Sequence, residues 1–258
     1  MNWSGISDKS LHGRVLRFLL SLIPKRMKLP VIQGRLKGKK WIVGSGNHGC
    51  WLGSYEYEKQ RLFGATVADG STVFDLGGHV GFYTLLASEL VGSKGKVFVF
   101  EPAPRNIFYI KEHLRLNHVK NVTVIEAAVS DRCGTVSFHL EEEARGFLGH
   151  IASDGRFQVK TVALDELISR GELPIPDYIK IDIEGAEMMA LLGAKSLLAK
   201  AHPVIFLATH GSGVHQECCR LLKSLGYELQ PIDGMNLEES SEVLADYRRS
   251  PVSRIGTL

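Results

Sequence analysis

The chain has 258 residues, 44% hydrophobic and 23% charged, which is the composition of an ordinary soluble globular protein and leaves room for one α/β domain with appendages or at most two small domains. Its four cysteines (Cys50, Cys133, Cys218, Cys219) have no paired spacing, which argues against a disulfide framework or a zinc site and points to a reducing, cytoplasmic compartment. The net charge of +3 conceals an asymmetry: residues 1–40 hold ten Lys or Arg against Asp8 alone, leaving 21 basic and 27 acidic residues in 41–258. A mildly acidic body speaks against an enzyme that grips nucleic-acid phosphates along its core surface, so no nucleic-acid partner is expected.

In the basic arm, residues 1–40, the stretch "GRVLRFLLSLIPKRMK" makes a poor signal peptide, since Arg17 interrupts the apolar run and no small-residue cleavage site follows. It is too short to span a bilayer. It reads as a short helix packing Leu16, Leu19, Leu20 and Ile23 on the main domain, with peripheral contact to an anionic membrane surface as the alternative. Residues 41–70 form a lead-in, in which "CWLGSYEYEKQRLF" precedes the first strong strand signal.

From residue 71 strands and helices alternate. "TVFDLGG" predicts a strand and a tight turn, and "GFYTLLASELV" a helix with Phe82, Leu85, Leu86 and Leu90 on one face. "KVFVFEP" predicts a strand buried on both faces, "PRNIFYIKEHLRLN" a helix, and "NVTVIEAAVSD" a third strand. The rhythm then breaks: "GTVSFHL" and "FQVKTVAL" alternate with period two and predict an inserted hairpin, joined by "EEEARGFLGHIASDGR" as a polar loop. After the short helix "LDELIS" the pattern resumes with "YIKIDIE", the helix "GAEMMALLGAKSLLA", the strand "PVIFLATH" and the helix "VHQECCRLLKSLG". "YELQPIDG" and "EVLADYRR" close the domain as a final strand pair. The expected fold is a doubly wound, mostly parallel α/β sheet spanning residues 71–258, with a final antiparallel strand.

A dinucleotide fingerprint needs G-x-G-x-x-G after the first strand. Here Gly77, Gly78 and Gly81 follow the order D-L-G-G-H-V-G, and the first spacing is missing. Asp75, two residues before the first glycine, suits a cationic ammonium better than a pyrophosphate, which favours S-adenosylmethionine over a nicotinamide cofactor. Glu101 stands at the tip of the second strand, where a carboxylate accepts hydrogen bonds from both hydroxyls of a ribose. Asp182 and Glu184 fall at the carboxyl end of "YIKIDIE", where ligands of open α/β sheets bind, and alternation puts both on one side. They could take a proton from a hydroxyl or stabilise passing positive charge. Glu187, at a helix start, reads as a partner of the helix dipole.

The stretches "VFDLGGHVGFYTLL", "VFVFEPAPRN", "VIEAAVSD", "LDEL", "YIKIDIEGAE" and "HPVIFLATH" together resemble the FkbM family of S-adenosylmethionine-dependent methyltransferases over about residues 71–226. The resemblance implies a class I methyltransferase fold and transfer of a methyl group to a hydroxyl of a small-molecule acceptor such as a sugar or polyketide. By position it implies that Asp75, Gly77 and Gly81 line the methionine end, with Gly78 and His79 in the same turn. Glu101 with Pro102 would meet the ribose, Ala127 and Ala128 would border the adenine, and Asp182 would face the transferring methyl. Two departures stand out: Gly78-His79 replaces the family's Ala-Asn, and Leu207-Ala208-Thr209-His210 lacks the acid often found at the fifth strand's end. His210 is the candidate replacement, and Tyr55 or Glu56 could form part of a lid over the cofactor. Asp182, Glu184 and His210 could also converge on a magnesium-like ion, although no spacing demands a metal. A nicotinamide-dependent oxidoreductase, and a binding module without transfer activity, are the competing readings.

Overall fold

The computed structural model describes residues 20–143, 146–151 and 157–247, together with Arg14 and Phe18. In chain order the elements are β1 (Lys28–Pro30), β2 (Lys40–Ile42), α1 (His48–Leu52), α2 (Tyr57–Thr66), β3 (Thr72–Leu76), α3 (Phe82–Val91), β4 (Lys96–Phe100), α4 (Pro104–Leu116), β5 (Val122–Ile125) and β6 (Ala128–Val129). There follow β7 (Gly134–Glu143), β8 (Gly146–Ile151), β9 (Phe157–Val162), α5 (Leu164–Ser169), β10 (Tyr178–Ile181), α6 (Glu187–Leu192) and α7 (Lys195–Ala201). The last elements are β11 (Val204–Ala208), α8 (Ser212–Ser224), β12 (Glu228–Pro231) and β13 (Glu242–Asp246). The central sheet has seven strands in the order β12-β13-β11-β10-β3-β4-β5. β10 pairs in parallel with β11 and β3, and β3-β4-β5 continue in parallel, whereas β13 runs antiparallel to both β11 and β12.

The strands are near-continuous apolar runs because both faces are covered. On β3, Phe74 and Leu76 join one core with Ile179, Ile181, Leu191, Leu198 and Leu222. Val73, on the opposite face, joins a second core with Val97, Phe206, Trp41, Phe63, Phe82 and Leu86. Residues 41–70 therefore share a core with the sheet. They also change α3, which was expected to bury one face and instead buries Phe82, Tyr83, Thr84, Leu85, Leu86, Ala87, Ser88 and Val91 between sheet and lead-in. His113 of α4 ties these layers together: its Nε2 accepts from the Ile42 amide at 3.1 Å, its Nδ1 lies 2.8 Å from the Val80 carbonyl, and its ring stacks on Trp41. Burial drives its pKa down to about 4, so the ring stays neutral, with Nδ1 as the donor.

Three local expectations change. The stretch "NVTVIEAAVSD" splits, and β6 leaves the central sheet to pair with β9. β7 and β9 do pair antiparallel, but β7 also pairs with β8, which uses part of the stretch expected to be a loop; the result is a separate four-stranded sheet, β6-β9-β7-β8. The single helix expected from "GAEMMALLGAKSLLA" breaks into α6 and α7 at Gly193, where a Cβ would lie 2.1 Å from the Ser130 carbonyl oxygen. Asp165 of α5 then caps the new N-terminus, accepting from the amides of Ser196 at 2.7 Å and Leu197 at 2.8 Å. In the basic arm Leu20 and Ile23 pack on the second core, while Leu16 and Leu19 lie outside the described residues. Among the described residues no helix is long and apolar enough to cross a membrane, and Cys50, Cys133, Cys218 and Cys219 are all free thiols.

Candidate active site

A cavity of about 480 Å³ opens at the carboxyl ends of the parallel strands. One end of it is built mainly from backbone. After Leu76 the chain turns under the tip of β4, with the amides of Gly77 and Gly78 both donating to the Phe100 carbonyl, at 2.9 and 3.1 Å. Gly77 has φ +80°, and a Cβ there would lie 1.9 Å from the Asp182 carbonyl oxygen; a Cβ on Gly78 would lie 2.2 Å from Val99. These glycines are thus demanded first by the close approach of neighbouring strands. Gly81, φ +92°, lets the chain enter α3, with its amide donating to Gly78.

Glu101 sits against this turn. Its Oε2 accepts from the His79 amide at 2.8 Å, and its Oε1 from the Ala103 amide at 3.0 Å and Asn106 Nδ2 at 3.3 Å. Burial raises its pKa to about 7 in spite of those three donors, so the charged form is only partly compensated and further donors would favour it. Burial, and next the charge of Lys180, lower His79 to about 4, so its ring is neutral; its Nε2 is buried without a hydrogen-bond partner. Pro102, Ala127, Ala128 and Phe138 complete this end of the cavity wall.

Asp75 is placed differently from the expectation. Alternation along β3 puts it on the face covered by α3, where Oδ2 accepts from Thr84 Oγ1 at 2.6 Å and Oδ1 pairs with Lys180 Nζ at 3.3 Å. It is 1% exposed and does not line the cavity, so the electrostatic case built on a free carboxylate at this position fails. Lys180 carries its influence: Nζ also donates to the Gly77 carbonyl at 2.9 Å and lies 3.6 Å from Asp182.

The other end of the cavity is dense in charge. Lys59, on α2, is buried with its Nζ 3.0 Å from Glu242, 3.1 Å from Glu56 and 3.7 Å from Asp182. Burial opposes the ammonium, but those carboxylates keep it charged. Burial likewise opposes ionisation of Asp182, yet the charges of Lys180 and Lys59 hold its pKa at about 2. Glu242 stands directly opposite Ala208 in the β11-β13 register, so a carboxylate lies beside the end of β11, which carries none of its own. Tyr55, stacked edge-on against Phe82 and Tyr83, and Glu56 both line the cavity from the lead-in.

His210 faces this cluster, its Nε2 3.3 Å from Glu184 and 3.7 Å from Asp182. Its Nδ1 meets the fully buried Glu187 at 2.8 Å, and Glu187 in turn accepts from the Gly185 amide at 3.0 Å. The bond to Glu187, followed by the charges of Glu184 and Asp182, raises the His210 pKa. Glu184 holds a left-handed backbone, φ 52°, at the turn that brings its side chain round. One ligand atom from each of Asp182, Glu184 and His210 lies within 4.8 Å of the others, a donor set of the kind that a hard divalent cation accepts.

Sequence reasoning brought Gly77, Gly78, His79, Gly81, Glu101, Pro102, Ala127, Ala128, Asp182, Glu184, His210 and Glu56 to the turn or the cavity wall, and missed Lys59, Lys180 and Glu242. Lys180 did leave a signal, a lone charge at an inward position of the strand "YIKI". Glu187, read as a dipole partner, also orients His210.

This order of strands, with the cavity at their carboxyl ends, defines a class I methyltransferase fold. The chain matches the family model "Methyltransferase FkbM domain" over residues 75–229, and it belongs to that family. It is 27% identical over 150 residues to the hexuronic acid methyltransferase AglP of Haloferax volcanii, covering 58% of this chain and 61% of that protein. It is 30% identical over 125 residues to the 2-O-methyltransferase NoeI of Sinorhizobium fredii, covering 42% of this chain and 51% of that one. The match thus spans between half and two thirds of each relative. The crystal structure of a methyltransferase FkbM from Methylobacillus flagellatus KT superposes with a TM-score of 0.52 at 20% identity, covering 70% of this chain and 44% of that one.

Proposed function

We propose that this chain is an S-adenosylmethionine-dependent O-methyltransferase acting on a hydroxyl of a sugar-like acceptor. The carrying observation is Glu101, a carboxylate held by three donors at the tip of β4 and facing a cavity whose other end is rich in carboxylates. The first feature fits a ribose, and the second fits a ligand with an ammonium and a sulfonium and no phosphate. A dinucleotide would bring its pyrophosphate toward Asp182, Glu56 and Glu242, which disfavours the oxidoreductase reading. Family membership and two relatives named as methyltransferases, one of hexuronic acid, support the activity and the acceptor class.

The residues fit S-adenosylmethionine as follows. Glu101 would accept from the ribose hydroxyls, Ala127, Ala128 and Pro102 would border the adenine, and the Gly77–Gly81 turn would pass beneath the amino-acid part. The bound cofactor supplies an electrophilic methyl on a positively charged sulfur. The chain has to hold an acceptor oxygen in line, exclude water and receive a proton. We assign the last role to His210 Nε2: Glu187 fixes Nδ1–H, which leaves the Nε2 lone pair toward the cavity. Asp182, ionised at any physiological pH, and Glu184 would stabilise the imidazolium that results.

The test has two stages. S-adenosylhomocysteine in hundredfold excess over its Kd should raise the Tm, with a stabilisation of roughly 2.7 kcal/mol, and NAD should not. Labelled donor should then pass its methyl to members of a panel of uronic acids and neutral sugars. Stabilisation by NAD alone would sink the reading.

A further inference from the structure

We infer that the outward face formed by residues 20–40, together with Arg14 and Phe18, docks the protein on an anionic lipid bilayer. No Asp or Glu occurs between Asp8 and Glu56, a stretch that carries ten Lys or Arg. Lys25, Arg26, Lys28, Arg35, Lys37 and Lys40 are exposed, and none of them enters an ion pair among the described residues; of the basic residues there, Lys39 alone does, with Glu89. The inward side of the segment is already occupied: Leu20, Ile23 and Leu29 pack on the second core, and Trp41 is fully buried. In the β1-β2 ribbon Leu29 faces Trp41 on that inward side, so alternation turns Lys28 outward, as it does Lys40 opposite Pro30.

The same segment exposes large apolar side chains that a charged surface does not need. Phe18 is 63% exposed, Leu22 62%, Ile32 50% and Met27 41%. Phe18 and Leu22 are four residues apart beside helical Leu20 and Ser21, with exposed Arg14 a further four residues before Phe18. Cations interleaved with aliphatic groups are the chemistry of an interface between phosphate headgroups and acyl chains, with the charges on the headgroups and the apolar tips below them. Nucleic acid would satisfy the charges and leave Leu22, Met27 and Ile32 in water. The acidic body, repelled by the same surface, would fix the orientation. This inference stands apart from the methyl-transfer reading, since it uses none of the cavity residues.

The experiment is co-sedimentation of the full chain with vesicles of equal parts phosphatidylglycerol and phosphatidylcholine, against vesicles of phosphatidylcholine alone. The protein should pellet with the first and stay in solution with the second, and added salt should weaken the binding. The triple variant Lys25→Gln, Arg26→Gln, Lys28→Gln should partition on the order of a hundredfold more weakly, at about fivefold per charge. The pair Phe18→Ser, Leu22→Ser should weaken binding at every salt concentration, and Lys25→Arg with Lys28→Arg should bind as the parent does. A melting curve for each variant separates lost docking from lost fold. Equal binding to neutral vesicles, no binding to either, or retention on duplex DNA as strong as on the anionic vesicles would overturn the inference.

Discussion

The two ends of the cavity are built on different principles. Around Glu101 the work is done by backbone amides and close packing: His79 and Ala103 donate from the main chain, and Gly77 and Gly78 are set by the approach of Asp182 and Val99. Around His210 it is done by side chains from separate elements, with Lys59 from α2, Lys180 from β10, Glu187 from α6 and Glu242 from β13. The first end should therefore respond to substitution locally and in proportion. The second is a coupled network, in which removal of one charge leaves its partners unmatched.

The largest expected effect tests the second end. His210→Ala should lower methyl transfer by roughly 10² to 10⁴, the usual scale for loss of a general base, while S-adenosylhomocysteine binds as before. Single-turnover transfer and titration calorimetry on the same variant separate the two quantities. The pH profile sharpens the assignment. A proton acceptor must be neutral, so the parent rate should rise through the raised His210 pKa; Glu187→Gln, which removes the first cause of the shift, should move that rise to lower pH. The raised pKa also means that protonated His210 stabilises the fold below about pH 6.5, a contribution lost as pH climbs through the folded value. Rate and stability should thus run in opposite directions. A rate profile unmoved by Glu187→Gln would assign the proton to another group.

Next comes coupling. Lys59→Met keeps the volume and removes the cation, leaving Glu56, Glu242 and Asp182 facing one another. A loss of about 3 kcal/mol in denaturant unfolding is expected, the scale for stranding one side of a buried pair. Adding Glu242→Gln should restore part of it, since one of the stranded carboxylates is then neutral. Strict additivity of the two changes would show that no network exists.

The smallest effect belongs to the backbone-built end. Glu101→Gln should leave the fold intact and weaken S-adenosylhomocysteine by roughly 1.5–3 kcal/mol. With a folded pKa of about 7, Glu101 is protonated more readily than in the unfolded chain; its contribution to stability is present in acid and lost as pH rises through that value. Ribose binding asks for the ionised form. Affinity in the parent should therefore fall as pH drops below about 7, and the variant should lack that slope. A sloped profile in Glu101→Gln would assign the titration elsewhere.

The legibility of each end in the sequence follows from the same contrast. The alternation of strands and helices and the backbone-built end were readable because periodicity, glycine and a strand-tip acid are local signals. Asp75 misled because sequence shows an acid near a turn and not the face of β3 from which it projects; Lys180, its partner, lies over a hundred residues away. Glu242 left no signal at all, being an ordinary acid opening an antiparallel strand beyond the family match. The helix break at Gly193 depended on the passing backbone of Ser130, which no helical periodicity reports.

His113 has a consequence for anyone wishing to move this domain between proteins. A cut at residue 75, where the family match begins, would discard the Ile42 amide that its imidazole accepts and the Trp41 ring on which it stacks. The same ring holds the Val80 carbonyl in the turn at the Glu101 end of the cavity, so an orphaned His113 would loosen that turn from behind. The portable module therefore begins no later than β2, and a chimera joined downstream of it should purify as a protein that binds its donor poorly before it shows any defect in its acceptor.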